Sequence, residues 1–202
     1  MKDALDLLIT KLLRDAFSRE ESPMALSQHL PASGPPPVYA DPGPGAIVLS
    51  AKPVTLTSPP ERGAPLQVRV SAPATGDHLP VVLFSHGYGS SLDGYGPLTD
   101  YWAAHGFVVL QPTYLDSRTV GVSNDDPRLP DFWRFRVADA RQVLDDHDTL
   151  LDAVPGLAER VDRDRIAAAG HSFGGQTSGI LLGLRVGPPA GANEDLSDPR
   201  VR

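Results

Sequence analysis

The sequence predicts an α/β protein: a doubly wound, mostly parallel sheet with antiparallel strands on its N-terminal side. Three observations carry that prediction. Val81-Val82-Leu83-Phe84, Phe107-Val108-Val109-Leu110 and the run Arg165-Ile166-Ala167-Ala168-Ala169 are short and apolar, as strands covered on both faces are. Between and after them lie segments with helical spacing of apolar residues. A strand–helix–strand rhythm of this kind closes through right-handed crossovers into a parallel sheet.

The elements follow in order. Within the first 17 residues Leu5, Leu8 and Leu12 form a helical stripe, flanked by Leu7, Ile9, Leu13 and Phe17 and interrupted by Asp3, Asp6, Lys11, Arg14 and Asp15. This predicts an amphipathic helix docked on the domain or on a partner. A secretory leader would show an uncharged apolar run behind a basic start, so a cytoplasmic location is expected. Residues 31–44 are dense in Pro and Gly and read as a linker. The expected division is therefore a helix and linker over 1–45 and an α/β domain over 46–202. Ala46-Ile47-Val48-Leu49-Ser50 and Val54-Thr55-Leu56-Thr57 are strand-like. Leu66-Gln67-Val68-Arg69-Val70-Ser71 alternates as a half-buried antiparallel strand would.

After the first apolar strand, a helix is predicted near 97–105, with Leu98, Tyr101 and Trp102 facing the core and Gly106 as its left-handed terminator. A loop rich in Pro, Asp and Arg leads to a helix near 131–154 carrying Phe132, Phe135, Val137, Val143, Leu144, Leu150 and Leu151. The third apolar strand runs into Gly170, and a last helix is expected over 176–184.

With 202 residues, 41% hydrophobic and 21% charged, the chain suits one sizeable core. A net charge of −7 and the lack of a basic patch argue against nucleic acid as a partner. There is no cysteine, which excludes disulfides, thiolate catalysis and Cys-based metal sites. No apolar run approaches the roughly eighteen residues of a membrane span. His147 stands beside Asp145, Asp146 and Asp148, but consecutive helical residues do not converge on one point, so no metal is expected there. No cofactor is implied. Arg134, Arg136, Asp139 and Arg141 are expected to form surface and interhelix ion pairs.

Two constellations carry chemistry. Gly170-His171-Ser172-Phe173-Gly174-Gly175 lies between a strand and a helix and has the G-x-S-x-G spacing of a nucleophile elbow. Such a turn strains the serine, and small neighbours let the backbone pass close to strand and helix; Gly170 and Gly174 fit those places, and Gly175 is expected to permit close helix packing. Ser85-His86-Gly87-Tyr88-Gly89 follows the first apolar strand, where acyl transfer finds one of its oxyanion donors. The candidate donors are the backbone N–H groups of Tyr88 and of Phe173. His86 is expected to serve its own loop by hydrogen bonding, and His171 to point away from the serine.

These two segments, with Ala103-Ala104-His105-Gly106-Phe107, resemble the α/β-hydrolase superfamily, and within it the branch of platelet-activating-factor acetylhydrolases, chlorophyllase-like proteins and bacterial polyester esterases. The similarity covers about residues 66–186. It implies a carboxylic ester hydrolase acting on a small ester through an acyl-enzyme at Ser172, with Tyr88 and Phe173 forming the oxyanion hole. The resemblance also implies a histidine and an acid after later strands, yet no histidine follows Ser172. Asp198-Pro199-Arg200-Val201-Arg202 looks like the start of a further strand. The expectation is a fold lacking its C-terminal strands, truncated and inactive or very weakly active alone, with a complementing C-terminal segment or a second copy covering the open edge. The competing expectation is a non-catalytic binding or scaffold protein that keeps the fold.

Overall fold

The structure, a computed structural model, describes residues 44–186 and 194–202; the predicted N-terminal helix and nearly all of the linker lie outside them. Five strands form one sheet: β1 (Val48–Leu56), β2 (Leu66–Pro73), β3 (Leu79–Ser85), β4 (Val108–Thr113) and β5 (Val161–Gly170), in the order β1-β2-β4-β3-β5. β1 with β2 and β2 with β4 run antiparallel, whereas β3 lies parallel to both β4 and β5. The two strand-like runs before residue 58 are one strand. Its register shifts between Ala51 and Val54, where Pro53 has no N–H to give the ladder, and β1 tolerates this because it is an edge strand.

Among the described residues four α-helices cover the sheet: α1 (Gly96–Ala104), α2 (Phe132–Asp145), α3 (His147–Asp152) and α4 (Phe173–Leu181). Leu83, Val108 and Leu110 point into a core shared with Val137, Val143, Leu150 and Ile180 from α2, α3 and α4. Their strand neighbours Phe84 and Val109 point the other way, against Ala103 and Trp102 of α1. Alternation along a strand thus sends successive side chains to two helical layers, as a doubly wound sheet requires.

Three expectations change. The buried residues of α1 are Thr99 and Ala103, while Leu98 and Tyr101 are exposed; short side chains let the helix sit close to the sheet. β2 is buried almost throughout rather than half-buried. α1 roofs its polar side, where Arg69 donates to Asp100 (2.6 Å) and to Ser50 (2.9 Å). The long helix near 131–154 is two helices, broken at Asp146.

Register places the site. Ser85 is the partner of Gly170, so the loops that leave β3 and β5 start side by side at the carboxyl edge of the sheet, the edge where open α/β sheets bind ligands. On the outer side of β5, Val201 makes an isolated parallel bridge to Ile166; residues 199–200 form a turn, so of the strand expected at 198–202 only this one bridge is present. Among the described residues no helix is long and apolar enough to cross a membrane.

Candidate active site

Only His171 and Ser172 separate the end of β5 from the start of α4. Ser172 takes φ 52°, ψ −118°, close to the mirror image of the first central residue of a type II turn, a place usually given to glycine. Holding an L-residue there costs on the order of 1–3 kcal/mol. The chain maintains it because its neighbours lack side chains. A Cβ on Gly174 would fall on the Ser85 carbonyl and within 2.7 Å of the His86 oxygen; one on Gly170 would lie 2.9 Å from the Gly175 nitrogen. Gly175 is different: its Cβ would meet nothing nearer than the Gly170 oxygen at 3.6 Å, so the close approach belongs to Gly170 and Gly174 alone. Ser172 is exposed and makes no side-chain cap to α4. Its carbonyl accepts from the Gly175 and Gln176 N–H groups (2.9 and 3.2 Å).

The loop after β3 is held on every side but one. Gly87 N–H donates to the Tyr95 hydroxyl (3.2 Å) and Gly87 O accepts from Ser90 N–H (3.1 Å). Gly89 N–H donates to Asp116 Oδ2 (3.1 Å) and Gly89 O accepts from Arg118 N–H (3.3 Å). Between them, the Tyr88 N–H has no acceptor among the described residues, and neither has the Phe173 N–H. The Tyr88 and Phe173 rings meet at 6.3 Å. Tyr95 links the loop to the elbow, since its hydroxyl also bonds His171 Nδ1 at 2.8 Å. His171 therefore faces Tyr95, in line with the expectation that it points away from the serine.

His86 is buried and structural, as expected. Its Nε2 accepts from Tyr114 N–H (3.1 Å), which leaves the proton on Nδ1 to donate to Gly87 O (2.7 Å). Burial, reinforced by the Arg136 guanidinium, pulls the imidazole from 6.5 down to about 4. The folded protein thus holds His86 neutral where the unfolded chain would protonate it. Its stabilising contribution is complete above pH 6.5 and is lost as the pH falls toward 4, about 3 kcal/mol in all. Urea unfolding between pH 4 and 7 should show this loss, and His86→Asn should remove that part of the slope even if it is less stable throughout. Equal slopes in the two proteins would refute it.

Arg136 and Asp139 are not surface groups. Arg136 pairs bidentately with Asp116 (both bonds 2.7 Å) at side-chain exposures of 1% and 0%, and Asp139 pairs with Arg62. Arg134 and Arg141 do lie at the surface, the first paired with Glu194, the second donating to Ser197 O. The sequence does not mark Asp116 or Tyr114 as part of the site, and it reads Arg136 only as a surface or interhelix ion-pair residue. One signal was available: Phe132, Arg136, Asp139 and Val143 recur at spacings of four, three and four, so two charges stand on the buried stripe of α2. His147 turns to the Leu144 carbonyl (2.9 Å), and among the described residues no group of acids and histidines is arranged to hold a metal.

A family model described as Chlorophyllase matches residues 43–187. Platelet-activating factor acetylhydrolase of Bos taurus is 30% identical, over 51% of this chain and 32% of that protein. The chain thus spans about a third of the length of this curated relative. Among solved structures, an esterase of Pyrobaculum calidifontis is 25% identical with a TM-score of 0.45, over 67% of this chain and 39% of that one. A ferulic acid esterase from Streptomyces cinnamoneus is 21% identical with a TM-score of 0.47, over 67% and 54%. Because the family model runs across most of the sheet and through the elbow, the chain belongs to the chlorophyllase family, within the α/β-hydrolase superfamily.

Proposed function

We propose that the chain is the nucleophile-bearing part of a serine hydrolase that cleaves carboxylic esters through an acyl-enzyme at Ser172. The observation that carries this is the strained, exposed Ser172 beside two backbone donors, Tyr88 N–H and Phe173 N–H, that have no acceptor among the described residues. Strain at an exposed residue is costly unless used, and two amides with no protein acceptor are free to donate to a ligand. Ser172 Oγ attacks the ester carbonyl while its proton passes to a base. The carbonyl oxygen, now negative, accepts from the two amides, and the N-terminal end of α4 favours that charge. Collapse expels the alcohol, which takes the proton back, and water then releases the acid from Ser172. Relatives named as esterases and an acetylhydrolase support an ester as substrate. The paired Tyr88 and Phe173 rings suit an apolar acyl group.

In this reading the base comes from outside the described residues, because the histidines nearest the serine are committed elsewhere: His86 to its loop and His171 to Tyr95. Without a base the oxyanion hole and binding alone leave on the order of 10³-fold acceleration over water. Imidazole added to the solution can stand in for the missing side chain. Incubated with p-nitrophenyl acetate, the protein should become acetylated on the peptide carrying Ser172, and imidazole should speed this in proportion to its concentration, by less than the roughly 10²-fold or more that a positioned base supplies. Ser172→Ala in the same imidazole should show none. A wild-type serine that stays unmodified at every imidazole concentration would leave the non-catalytic binding reading in its place.

A further inference from the structure

Two buried ion pairs lie among the described residues, and they are wired differently. Arg62 and Asp139 spend their remaining hydrogen bonds on the scaffold, at Ala64, Pro65 and Thr113. Arg136 and Asp116 spend theirs on the candidate oxyanion loop. Asp116 Oδ2, already bonded to Arg136 Nη2, accepts the Gly89 N–H at 3.1 Å. Arg136 Nη1 donates to the His86 carbonyl at 2.8 Å. The guanidinium also lies 4.4 Å from the centroid of the Phe173 ring and 4.5 Å from that of Tyr114. One ion pair therefore grips the peptides on both sides of Gly87-Tyr88 and the side chain of the residue that follows the nucleophile.

A buried ion pair is a poor source of stability, since desolvation offsets most of the attraction, and one that is retained often fixes a geometry. Here the geometry is that of the two undonated amides. If the loop were free to turn, the Tyr88 peptide could rotate its N–H toward solvent. Rotation of that peptide would break the bonds that Gly87 O accepts from His86 Nδ1 and Ser90 N–H, and the anchored His86 carbonyl and Gly89 amide hold the loop in the position that makes them. We propose that Asp116 and Arg136 are positioning residues that hold the Tyr88 and Phe173 N–H groups on one point. This rests on the reading of Ser172 as an acylated nucleophile. Neither residue touches the reacting atoms; the pair acts through the backbone it grips.

The test uses the whole chain with p-nitrophenyl acetate and a fixed concentration of imidazole, following Ser172 acetylation against ester concentration. Amide hydrogen exchange at Gly89 is measured in parallel. Arg136→Lys keeps the charge and loses the planar fork; Asp116→Asn keeps the shape and loses the charge. Both should raise Gly89 exchange at least about tenfold while amides of β3 and β4 stay protected. Both should lower the saturating acylation rate by about 10- to 100-fold, within the loss seen when one oxyanion donor is removed, and leave the half-saturating ester concentration within about twofold. Arg62→Lys is the control for stability, because it weakens the other pair and should leave the saturating rate unchanged. Variants that exchange faster at Gly89 yet acylate at the wild-type saturating rate would overturn the proposal. So would an Arg62→Lys protein slowed as much as Arg136→Lys. A wild-type chain that is never acetylated overturns the nucleophile reading first, and this inference with it.

Discussion

Gly174→Ala is expected to destabilise the domain by about 4 kcal/mol or more, whereas Gly175→Ala, one residue on, should be neutral or slightly stabilising. The two differ by what their new methyl would meet. On Gly174 it lands on the main chain of β3 at Ser85 and the carbonyl of His86, neither of which can rotate away as a side chain could. Relief requires α4 to withdraw from β3, and that movement opens the core shared by Ile180, Leu83 and Val137. Overpacking of this kind costs about 1–3 kcal/mol where side chains can give way, and more where backbone must. On Gly175 the methyl reaches only ordinary contact distance, 3.6 Å from the Gly170 oxygen. Gly175 lies inside α4, where alanine gains up to about 1 kcal/mol over glycine. Urea unfolding of the two variants settles it. A Gly174→Ala protein as stable as wild type would mean that α4 and β3 do not approach as closely as described, and the elbow would lose its physical basis.

That contrast marks the limit of what sequence could reveal. The elbow was legible because its signals are local: an apolar strand, two glycines at fixed offsets from Ser172 and a helix, all within some twenty residues. The loop at 85–89 was legible for the same reason, and so was the fold class, which needs only the alternation of strand and helix. Which glycine bears the close approach was not legible, because Gly174 meets residues 85 and 86, remote in sequence, while Gly175 meets its own turn. Nor was the burial of Arg136 and Asp139. A charge on a helix reads as a solvated face until its partner is known, and Asp116 and Arg62 lie 20 and 77 residues away. The exchange of Leu98 and Tyr101 for Thr99 and Ala103 on the buried face of α1 has the same origin. Hydrophobicity ranks side chains by transfer to oil, but a helix pressed onto a sheet selects them by size as well. Local pattern thus exposed the nucleophile, while the groups that brace it depend on contacts between distant segments.

Asp139→Ala is the second large effect, expected at about 4 kcal/mol, and it tests how those distant segments are joined. Arg62 and Asp139 have side-chain exposures of 2% and 4%. All five N–H donors of the Arg62 guanidinium are used: Nε and Nη2 reach the Asp139 carboxylate at 2.8 and 3.1 Å, and the others reach the carbonyls of Ala64, Pro65 and Thr113 at 2.7, 2.8 and 3.0 Å. The turn between β1 and β2 is thereby tied to the end of β4 and to α2. Removing Asp139 leaves a guanidinium with no counter-charge and no route to water, and breaking a buried pair from one side costs about 3–5 kcal/mol. Replacing both, Arg62→Met with Asp139→Leu, should cost less than Asp139→Ala, because no charge is then stranded. It should still cost something, since three buried carbonyls lose their donor at about 1–3 kcal/mol each if water cannot reach them. Unfolding free energies for Arg62→Met, Asp139→Leu and the double variant give the coupling directly. If the double replacement proves as damaging as the two single losses added together, the pair is not a coupled unit, and the stability of this corner must come from its apolar packing instead. The folded fraction of each variant should retain the wild-type rate of Ser172 acetylation in imidazole, because no hydrogen bond of Arg62 or Asp139 reaches the loop at 85–89 or the elbow.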